Sequence, residues 1–447
     1  MDQGFDESLN HLGGGMGQAG DFTTYFKGDS SYFNPTLWHN GKKEDYKGYC
    51  SDIFCDRAIE FIEKNQSAPF FCYLAFNAPH TPLQVPEPYY QKYKNIDPSQ
   101  NVDSGTGFDV NMSESDKEDA RKVYAMVSNI DSNIGKLLKR LDDLQLKENT
   151  IVIFMSDNGP QQPRYNAGMR GLKASVYRGG IRVPFYIPYP VQFKVAGEIN
   201  IAAAHIDVLP TLAKLCDVKL PDTLSIDGQN LLPAIEGEDA YLAERSIFFY
   251  WTRRYPELYN NMALQKGNFK LVGHCDYDSK ISQFELYDIY SDPFERINIV
   301  NSDTAVANRL HFQMKQITAE LISSENLIRP PRIEIGNKRE NPVILNRNDA
   351  DGQPGICAQE EVYGLWKVRI SEGHYNIRFK FLNPPGTKGC LMLETGTFIT
   401  RMDNTDAHAD YFEMKNVHLP KMECDFVPSY TSGTKRFFPF WVEIEKI

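Results

Sequence analysis

Two polar loops that directly follow apolar runs contain the residues best suited to chemistry. The run at 70–76 leads into a loop containing His80, and the run at 151–155 leads into Asp157 and Asn158. In open α/β sheets, ligands bind just beyond the carboxyl ends of the strands. If the two runs are neighbouring strands, these three side chains converge even though they are far apart in the sequence.

Asp157 and Asn158 offer only oxygen ligands, which is the chemistry that hard divalent cations such as Ca²⁺ or Mg²⁺ prefer. The pair supplies at most about three oxygens, whereas calcium takes about six to eight. No other acidic strand end is an obvious donor, so the remaining ligands would come from elsewhere. The alternative interpretation is an Asx turn that ends a strand, because Asp-Asn-Gly is a common turn sequence.

The stretch 158–197 contains no Asp or Glu, although acidic residues outnumber basic ones in the whole chain, 59 to 48. Its cationic residues are Arg164, Arg170, Lys173, Arg178, Arg182 and Lys194. This local positive field predicts an anionic group beside the cation; the alternative is a solvated basic loop without a ligand. Lys173 is a suitable contact because its flexible stem can reach a tetrahedral oxyanion. His80 could donate a proton to a leaving oxygen, or it could be a structural histidine.

The spacing of apolar residues predicts the elements that position these loops. Helical periodicity covers 51–64 and 123–141, and continuous apolar runs predict buried strands at 70–76 and 151–155. Strand, helix and strand in this order form a β-α-β unit with parallel neighbouring strands. A third strand is predicted at 183–187 and a helix at 206–215. Residues 1–49, with the glycine cluster 13–17, are predicted to be loop.

The chain divides into three predicted parts. Residues 1–240 form an α/β domain, and 241–330 form a small α+β subdomain with strands at 246–251, 269–272 and 284–287 and a helix at 307–322. After Pro330 and Pro331, residues 338–447 form a β-sandwich-like domain. Its predicted strands are 363–370, 375–381, 391–399 and 437–444.

The composition narrows the classes of partner. A net charge of −11 over 447 residues argues against a nucleic acid or an anionic membrane as the partner of the whole surface. The longest apolar runs are far too short to span a bilayer. No Lys or Arg precedes Lys27, so no signal peptide is predicted in this chain. The eight cysteines contain no C-x-x-C pair, which argues against a zinc ribbon and leaves disulfides open.

Several short segments, in the same order along the chain, resemble those of the sulfatase family, specifically bacterial arylsulfatase-like enzymes of the alkaline-phosphatase-like superfamily. The matching segments are 4–7, 77–82, 124–131, 156–159, 171–173, 179–184, 205–212 and 286–288. Each motif alone is weak, but the ordered set is specific. The resemblance implies an alkaline-phosphatase-like mixed sheet flanked by helices, and hydrolysis of a sulfate ester.

The resemblance also implies roles for individual residues. Asp157 and Asn158 correspond to two metal ligands, and calcium is the usual ion. Lys173 corresponds to the residue between the sulfate and the nucleophile, and His80 to the residue that contacts the sulfate and assists departure of the alcohol. The family's nucleophile is a formylglycine hydrate made from the first residue of a C/S-x-P-x-R motif.

This sequence departs from the family pattern because no cysteine or serine begins a C/S-x-P-x-R motif. An early Asp-Asp metal pair and a Gly-Lys-Trp-His motif are also missing, and Trp38-His39 is only a superficial match for the latter. We therefore expect a sulfatase that lacks the N-terminal part of its catalytic domain, and a chain that is inactive and binds metal weakly by itself. Arg178 stands where relatives often carry Glu.

Two other functions remain open at this stage. One is a phosphatase or phosphonate monoester hydrolase of the same superfamily, since a metal, a lysine and a tetrahedral anion fit both chemistries. The other is a non-catalytic protein that binds glycans through aromatics of its C-terminal domain, for which ordinary core packing is the alternative. These aromatics are Trp366, Phe437, Phe438 and Trp441. A sulfated glycan as substrate and a periplasmic or extracellular location are implied only by the family.

Overall fold

The structure is a computed structural model. It describes residues 4–11, 15–18, 21, 23–100, 111–187, 197–237, 242, 244–252, 256–353, 356, 359–385 and 388–447. Gly13, Gly14, Lys194 and Cys357 of the sequence analysis lie outside these residues. Within the described ranges, no helix is both long enough and apolar enough to cross a membrane. The seven cysteines in these ranges are all free thiols.

A small antiparallel sheet occupies part of the N-terminal region that was predicted to be loop. Its strands are β1 (Leu9–Asn10), β2 (Thr36–His39) and β3 (Lys42–Asp45), in the order β1-β2-β3. The prediction was wrong here because the hairpin signal Asn40-Gly41 was missed. Both residues have positive φ angles, 50° and 79°, as a two-residue hairpin turn requires.

The two long predicted helices are confirmed. The helices of this region are α1 (Cys50–Asn65), α2 (Glu87–Tyr90) and α3 (Glu114–Asp143). A capping box between Ser113 and Asp116 begins α3 and satisfies backbone donors of its first turn. Met126 of α3 and Phe54 of α1 belong to one buried cluster, so the two helices pack through their apolar faces.

The apolar run at 70–76 is extended, but it has no ladder partner among the described residues. The prediction of a fully buried strand that pairs in parallel with 151–155 is therefore wrong for this structure. Phe71 and Tyr73 are 60% and 70% exposed, whereas Leu74 packs in the cluster that contains α1. Without neighbours on both edges and layers on both faces, an extended segment can bury only alternate side chains.

The predicted second and third strands are short and pair with each other. β4 (Phe154–Met155) is antiparallel to β5 (Phe185–Tyr186). The helices that follow β4 are α4 (Arg178–Ile181), α5 (Val208–Leu215) and α6 (Leu232–Ile235). A 3-10 turn at His205–Asp207 leads into α5, so the predicted helix at 206–215 is confirmed with a tighter first turn.

A buried ion pair fixes the start of α5. Arg245 donates to both carboxylate oxygens of Asp207, at 2.8 and 2.9 Å, and both side chains are buried. The same carboxylate accepts the backbone N–H groups of Ala204 and Gln229. Four donors therefore satisfy a carboxylate that has no access to water, as a buried charge requires.

The predicted α+β subdomain contains a four-stranded antiparallel sheet and one long helix. Its elements are β6 (Ser246–Tyr250), β7 (Asn260–Lys266), β8 (Phe269–His274), β9 (Glu285–Asp288), α7 (Thr304–Ile322) and α8 (Glu325–Ile328). The strands follow one another in the order β6-β7-β8-β9. β7 was not predicted, and the other three strands and α7 are confirmed. Met262 of β7 and Met314 of α7 share the core between sheet and helix.

The C-terminal residues form a β-sandwich of two sheets around one apolar core. Its strands are β10 (Ile333–Ile335), β11 (Val343–Asn346), β12 (Asp351–Gly352), β13 (Gly364–Ile370), β14 (Gly373–Lys380), β15 (Gly389–Thr395), β16 (Phe398–Asn404), β17 (Tyr411–Leu419), β18 (Met422–Ser432), β19 (Lys435–Phe437) and β20 (Trp441–Lys446). One sheet has the order β10-β13-β18-β15-β16, with β12 and β19 attached, and the other has β11-β20-β14-β17.

Two strand predictions in the sandwich need correction. The predicted strand 391–399 is a hairpin of β15 and β16, because Gly396 with φ of 59° turns the chain. The predicted strand 437–444 is divided between β19 and β20. Among the candidate stacking aromatics, the core interpretation is confirmed for three, Trp366, Phe437 and Phe438, whose exposed fractions are all below a tenth.

Removing Arg245 should destabilise the protein strongly. In Arg245→Met, the buried Asp207 carboxylate loses its charged partner, so we expect the free energy of unfolding in urea to fall by about 3–5 kcal/mol. Arg329→Met is the matched control because Arg329 is 80% exposed in its ion pair with Glu325. The control should leave the unfolding midpoint unchanged. Equal effects of the two substitutions would contradict this account of the buried pair.

Candidate functional site

The Asp-Asn-Gly turn that follows β4 is held from two sides by backbone contacts. The imidazole Nε2 of His205 lies 2.8 Å from the carbonyl oxygen of Ser156, directly before Asp157. On the other side, the Gly159 N–H donates to the Gly180 carbonyl at 2.9 Å. His205 was matched only as part of a family segment, and its contact with Ser156 was not foreseen.

The turn and α4 approach so closely that only glycine fits at position 159. A Cβ there would lie 1.8 Å from the carbonyl oxygen of Gly179. Gly179 in turn leaves no space for a side chain, because its own Cβ would lie 2.2 Å from the carbonyl oxygen of Gly171. Three separate segments therefore meet through their backbones, with no side chains between them.

Lys173 lies on the segment that meets the turn. Its backbone N–H donates to the carbonyl oxygen of Pro160 at 2.8 Å. Its side chain is half-buried, and no described residue forms a hydrogen bond or an ion pair with its ammonium group. The structure thus joins the Lys173 loop to the turn that contains Asp157 and Asn158, and it leaves the ammonium group available to a ligand.

Asp157 and Asn158 retain oxygen atoms that a hard cation could bind. No described residue donates to the exposed Asp157 carboxylate, and Asn158 makes one long side-chain hydrogen bond, through its Nδ2, to the Gly159 carbonyl at 3.3 Å. Two oxygen donors side by side fit part of a calcium or magnesium shell. Across the described ranges, no group of three or more His, Cys, Asp and Glu side chains could complete it.

His80 lies in a different set of contacts. Its Nδ1 is 2.8 Å from the Thr81 carbonyl oxygen and 3.3 Å from the Gln18 amide nitrogen. The shorter contact requires Nδ1 to carry the proton, because a carbonyl oxygen can only accept, and Nε2 is then the acceptor of the neutral ring. Among the residues described, none links His80 to Asp157, Asn158 or Lys173 by a hydrogen bond or ion pair. The convergence of His80 with the other three stays a prediction.

The loop of His80 is itself well fixed. The Tyr32 hydroxyl donates to the His80 carbonyl oxygen at 2.7 Å, and the Asn77 amide donates to the same hydroxyl. Tyr32 is fully buried, and burial raises the pKa of its phenol far above the usual value. The tyrosine therefore remains neutral and supports the loop from within the core.

Part of the predicted positive field is neutralised by the subdomain. Arg170 pairs with Glu285 of β9 at 3.2 Å, donates to the Tyr287 hydroxyl at 2.6 Å and stacks on the Tyr177 ring. Residues of the protein therefore already accept the hydrogen bonds of the Arg170 guanidinium group. Arg170 thus has a structural role, and the anionic group predicted beside the cation stays a prediction for the other cationic residues of the stretch 158–197.

A second acidic residue of the subdomain holds the start of α4. Glu295, which is fully buried, accepts the backbone N–H of Arg178 at 2.7 Å and the Lys270 ammonium at 2.5 Å. Burial lowers the pKa of Lys270 to about 8, although its partner opposes this shift. Arg178 thus stands where relatives often carry Glu, and its backbone N–H is bound by Glu295, a glutamate from the subdomain.

A cleft opens between the turn, the segment after Lys173 and the end of β6. Its volume is about 270 Å³. Its lining residues are Asn158, Ala174, Ser175, Val176, Gly180, Ile181, Phe248, Phe249, Tyr250 and Trp251. None of these is charged. The cleft extends directly from Asn158 and from the residue after Lys173, so it borders the candidate site.

Adding one methyl group at Gly159 should disturb this packing. In Gly159→Ala, the new Cβ meets backbone atoms that cannot move aside easily, so we expect the free energy of unfolding to fall by about 1–3 kcal/mol. Gly135→Ala is the control because Gly135 lies in α3 with no neighbouring atom near its Cβ position. The control should raise stability by about 0.5–1 kcal/mol. A neutral Gly159→Ala variant would show that the close approach is not required.

Two family models match consecutive, overlapping parts of the chain. The sulfatase family model matches residues 2–218, and the model described as N-sulphoglucosamine sulphohydrolase, C-terminal, matches residues 172–320. Together they cover the turn, the Lys173 loop and the subdomain. The C-terminal sandwich lies beyond both matches.

Individual relatives are similar to this chain over part of their length. An uncharacterized sulfatase, YdeN, of Escherichia coli is 26% identical over 72% of this chain and 59% of its own length. An N-acetylgalactosamine-6-O-sulfatase of Bacteroides thetaiotaomicron is 29% identical over 61% of this chain and 50% of its own length. The chain thus spans about half to three fifths of these relatives.

Solved structures confirm the predicted fold class. The crystal structure of Ps i-CgsB in complex with k-i-k-neocarrahexaose superimposes with a TM-score of 0.58 and 27% identity, over 71% of this chain and 67% of the other. The crystal structure of yidJ from Bacteroides fragilis, 21% identical over 65% of this chain and 63% of the other, shares this fold with a TM-score of 0.53. The mixed α/β architecture is that of the alkaline-phosphatase-like superfamily. From these matches and the order of the motifs, we conclude that residues 2–320 of the chain belong to the sulfatase family.

Proposed function

We propose that these residues supply the metal-binding and sulfate-binding part of a site that hydrolyses a sulfate ester. The observation that carries the proposal is the backbone bond between Lys173 and Pro160, next to Asp157 and Asn158. This bond holds the loop of Lys173 next to the two residues that offer oxygen ligands. The side chains of Asp157 and Lys173 form no hydrogen bond or ion pair with described residues. Fixed charges of this kind stabilise a transferring anionic group without reorganisation.

The roles proposed for the charged side chains follow from their chemistry. Lys173 would bind the oxygens of the SO₃ group, and its ammonium would offset the charge that develops there. With both ring nitrogens protonated, His80 would contact the sulfate and give its Nε2 proton to the departing alcohol, while its Nδ1 proton stays on the Thr81 carbonyl oxygen. Both roles require the His80 loop to face the same ligand as Lys173.

Asp157 and Asn158 are the proposed metal ligands, for Ca²⁺ or Mg²⁺. A bound ion at this position supplies Lewis acidity toward the oxygens of the transferring group. Because two residues provide too few oxygens for tight binding, we expect these residues alone to hold the metal weakly. The carboxylate is exposed, which allows an ion to reach it from solvent.

The nucleophile is proposed to act from a segment outside the 447 residues. None of their cysteines or serines begins a C/S-x-P-x-R motif. The segment 70–76 pairs with no strand among the described residues, and the exposed side chains of Phe71 and Tyr73 are where a further layer of the fold would pack. Bond cleavage therefore depends on a group that these residues do not contain, whereas anion binding does not.

The substrate is proposed to be a sulfated glycan. Two similar proteins support this assignment: an N-acetylgalactosamine-6-O-sulfatase, and i-CgsB, whose structure was solved with k-i-k-neocarrahexaose. We also propose a periplasmic or extracellular location for the protein, as the resemblance to the sulfatase family implies.

The 447-residue chain alone should not turn over sulfate esters. We expect release of 4-nitrophenol from 4-nitrophenyl sulfate, with Ca²⁺ present, to stay at the level of the His80→Ala variant. The reason is the absent nucleophile rather than absent binding. Sustained turnover above that variant would contradict the proposal that the 447 residues bind the ester but lack the nucleophile.

Binding of the ester should depend on Lys173. Loss of a hydrogen bond to a charged group costs about 1.5–3 kcal/mol, so Lys173→Ala should weaken 4-nitrophenyl sulfate binding by about tenfold or more. Titration monitored by ligand NMR measures this. Lys219→Ala is the control because Lys219 is 83% exposed in an ion pair with Asp222.

The same titration tests the choice of anion. If Lys173→Ala binds as tightly as the parent chain, the sulfate site is not where we place it. If 4-nitrophenyl phosphate binds more tightly than the sulfate and with the same dependence on Lys173, the phosphatase alternative replaces the sulfatase assignment.

A further inference from the structure

Lys173 occupies the second position of a four-residue turn from Leu172 to Ser175. The Ser175 N–H donates to the Leu172 carbonyl oxygen at 3.1 Å and closes the turn. The third residue, Ala174, has a φ of 69°, whereas Lys173 does not have a positive φ. This is the pattern of a type II turn, whose third residue is normally glycine or asparagine because other side chains are strained there. The turn that presents Lys173 therefore depends on a conformation that alanine rarely adopts.

The side chain of Asn261 contacts this strained residue directly. Its Nδ2 donates to the Ala174 carbonyl oxygen at 2.8 Å and, over 3.3 Å, to the Trp251 carbonyl oxygen. A carbonyl oxygen can only accept, so the amide nitrogen must face both of them. The Oδ1 of the same amide is buried and has no donor among the described residues. The amide is therefore oriented for its bond to Ala174, although its own acceptor stays unsatisfied.

A β-bulge in β7 directs the amide toward that turn. Asn260 pairs with His274 and Met262 pairs with Gly273, so Asn261 is an extra residue in its strand. Its φ of 51° also lies in the left-handed region, which asparagine tolerates better than most residues. Bulges redirect side chains and are frequent beside active sites. Two left-handed residues, one in the turn and one in the bulge, thus meet through one hydrogen bond.

Lys173 is held from both sides by these contacts. Its own N–H donates to the Pro160 carbonyl oxygen, which attaches the turn to the loop of Asp157. On the other side, Asn261 binds the carbonyl oxygen of Ala174 and attaches the turn to the subdomain. A strained residue keeps its conformation only when its surroundings hold it. A cation that is fixed in advance binds an anion more tightly than one that is ordered only on binding.

We propose that Asn261 is a positioning residue for Lys173: its amide holds Ala174 in the left-handed conformation and so fixes the turn that presents the ammonium group to the sulfate. This inference rests on the proposed function, in which Lys173 binds the sulfate. It goes further because it gives the subdomain a part in anion binding, through a residue outside every segment that resembles the family.

Removing the amide tests the proposal. Asn261→Gly keeps a left-handed backbone without strain, so it isolates the hydrogen bond. We expect it to weaken 4-nitrophenyl sulfate binding to the full chain by about three- to tenfold, measured by ligand NMR titration. In the Lys173→Ala background, it should have no further effect. Asn416→Gly is the matched control, because Asn416 is an exposed residue of the sandwich with φ of 54°, and it should bind like the parent chain.

A second substitution tests the mechanism by rescue. Glycine adopts the left-handed conformation without strain, so Ala174→Gly should make the turn less dependent on Asn261. We expect the double variant Asn261→Gly/Ala174→Gly to bind within about twofold of the parent chain. A double variant that binds as weakly as Asn261→Gly alone would show that Asn261 does not act through the conformation of Ala174.

Hydrogen exchange without ligand separates this inference from the proposed function. The Lys173 N–H should exchange about three- to tenfold faster in Asn261→Gly, because the turn opens more often. Unchanged exchange, unchanged ester binding while Lys173→Ala weakens it, or an equal loss of binding in the Lys173→Ala background would each refute the positioning role and leave the sulfate site standing. If exchange accelerates while neither substitution changes binding, Asn261 holds the turn and the proposed function fails. Circular dichroism of each variant confirms that it is folded.

Discussion

Two backbone hydrogen bonds, from Gly159 to Gly180 and from Lys173 to Pro160, are the constraint on which the candidate site depends. They fix three segments relative to one another without using any side chain for the purpose. The side chains of Asp157 and Lys173 form no hydrogen bond or ion pair with described residues. This backbone contact requires glycine at positions 159 and 179, because a side chain at either position would collide with backbone carbonyl oxygens.

The long helices and the subdomain could be predicted from sequence because their signals are local. α1 and α3 follow the 3.6-residue period over many turns, and α3 also begins with a capping signal at Ser113. The segment 70–76 could not be predicted correctly. An apolar run indicates that its side chains can be buried, but it does not indicate whether other parts of the chain cover them. Phe71 and Tyr73 are exposed because no described strand pairs with this segment and no described layer covers both of its faces.

The candidate site shows the same division between local and long-range information. Asp157 and Asn158 could be recognised because they directly follow an apolar run, and Lys173 because it lies in a stretch without acids. The contacts of Glu295 with Arg178, and of Asn261 with Ala174, join residues about 90 to 120 positions apart. No periodicity or spacing signals such contacts, so the cleft and its aromatic wall emerged only from the structure.

The distribution of charge bears on which tetrahedral anion the site prefers. The sequence places several cations near Lys173, but Glu285 neutralises Arg170, and Glu295 holds Lys270 and the Arg178 backbone. The field available to a ligand is therefore smaller than the count of cations suggests by the one guanidinium group that Glu285 neutralises. A sulfate monoester carries a single negative charge, whereas a phosphate group carries about −1.5 to −2 at neutral pH. A second negative charge at Lys173 would need a second cation beside it to avoid an unpaired charge, so the preference between the two anions depends on which other cations reach the ligand.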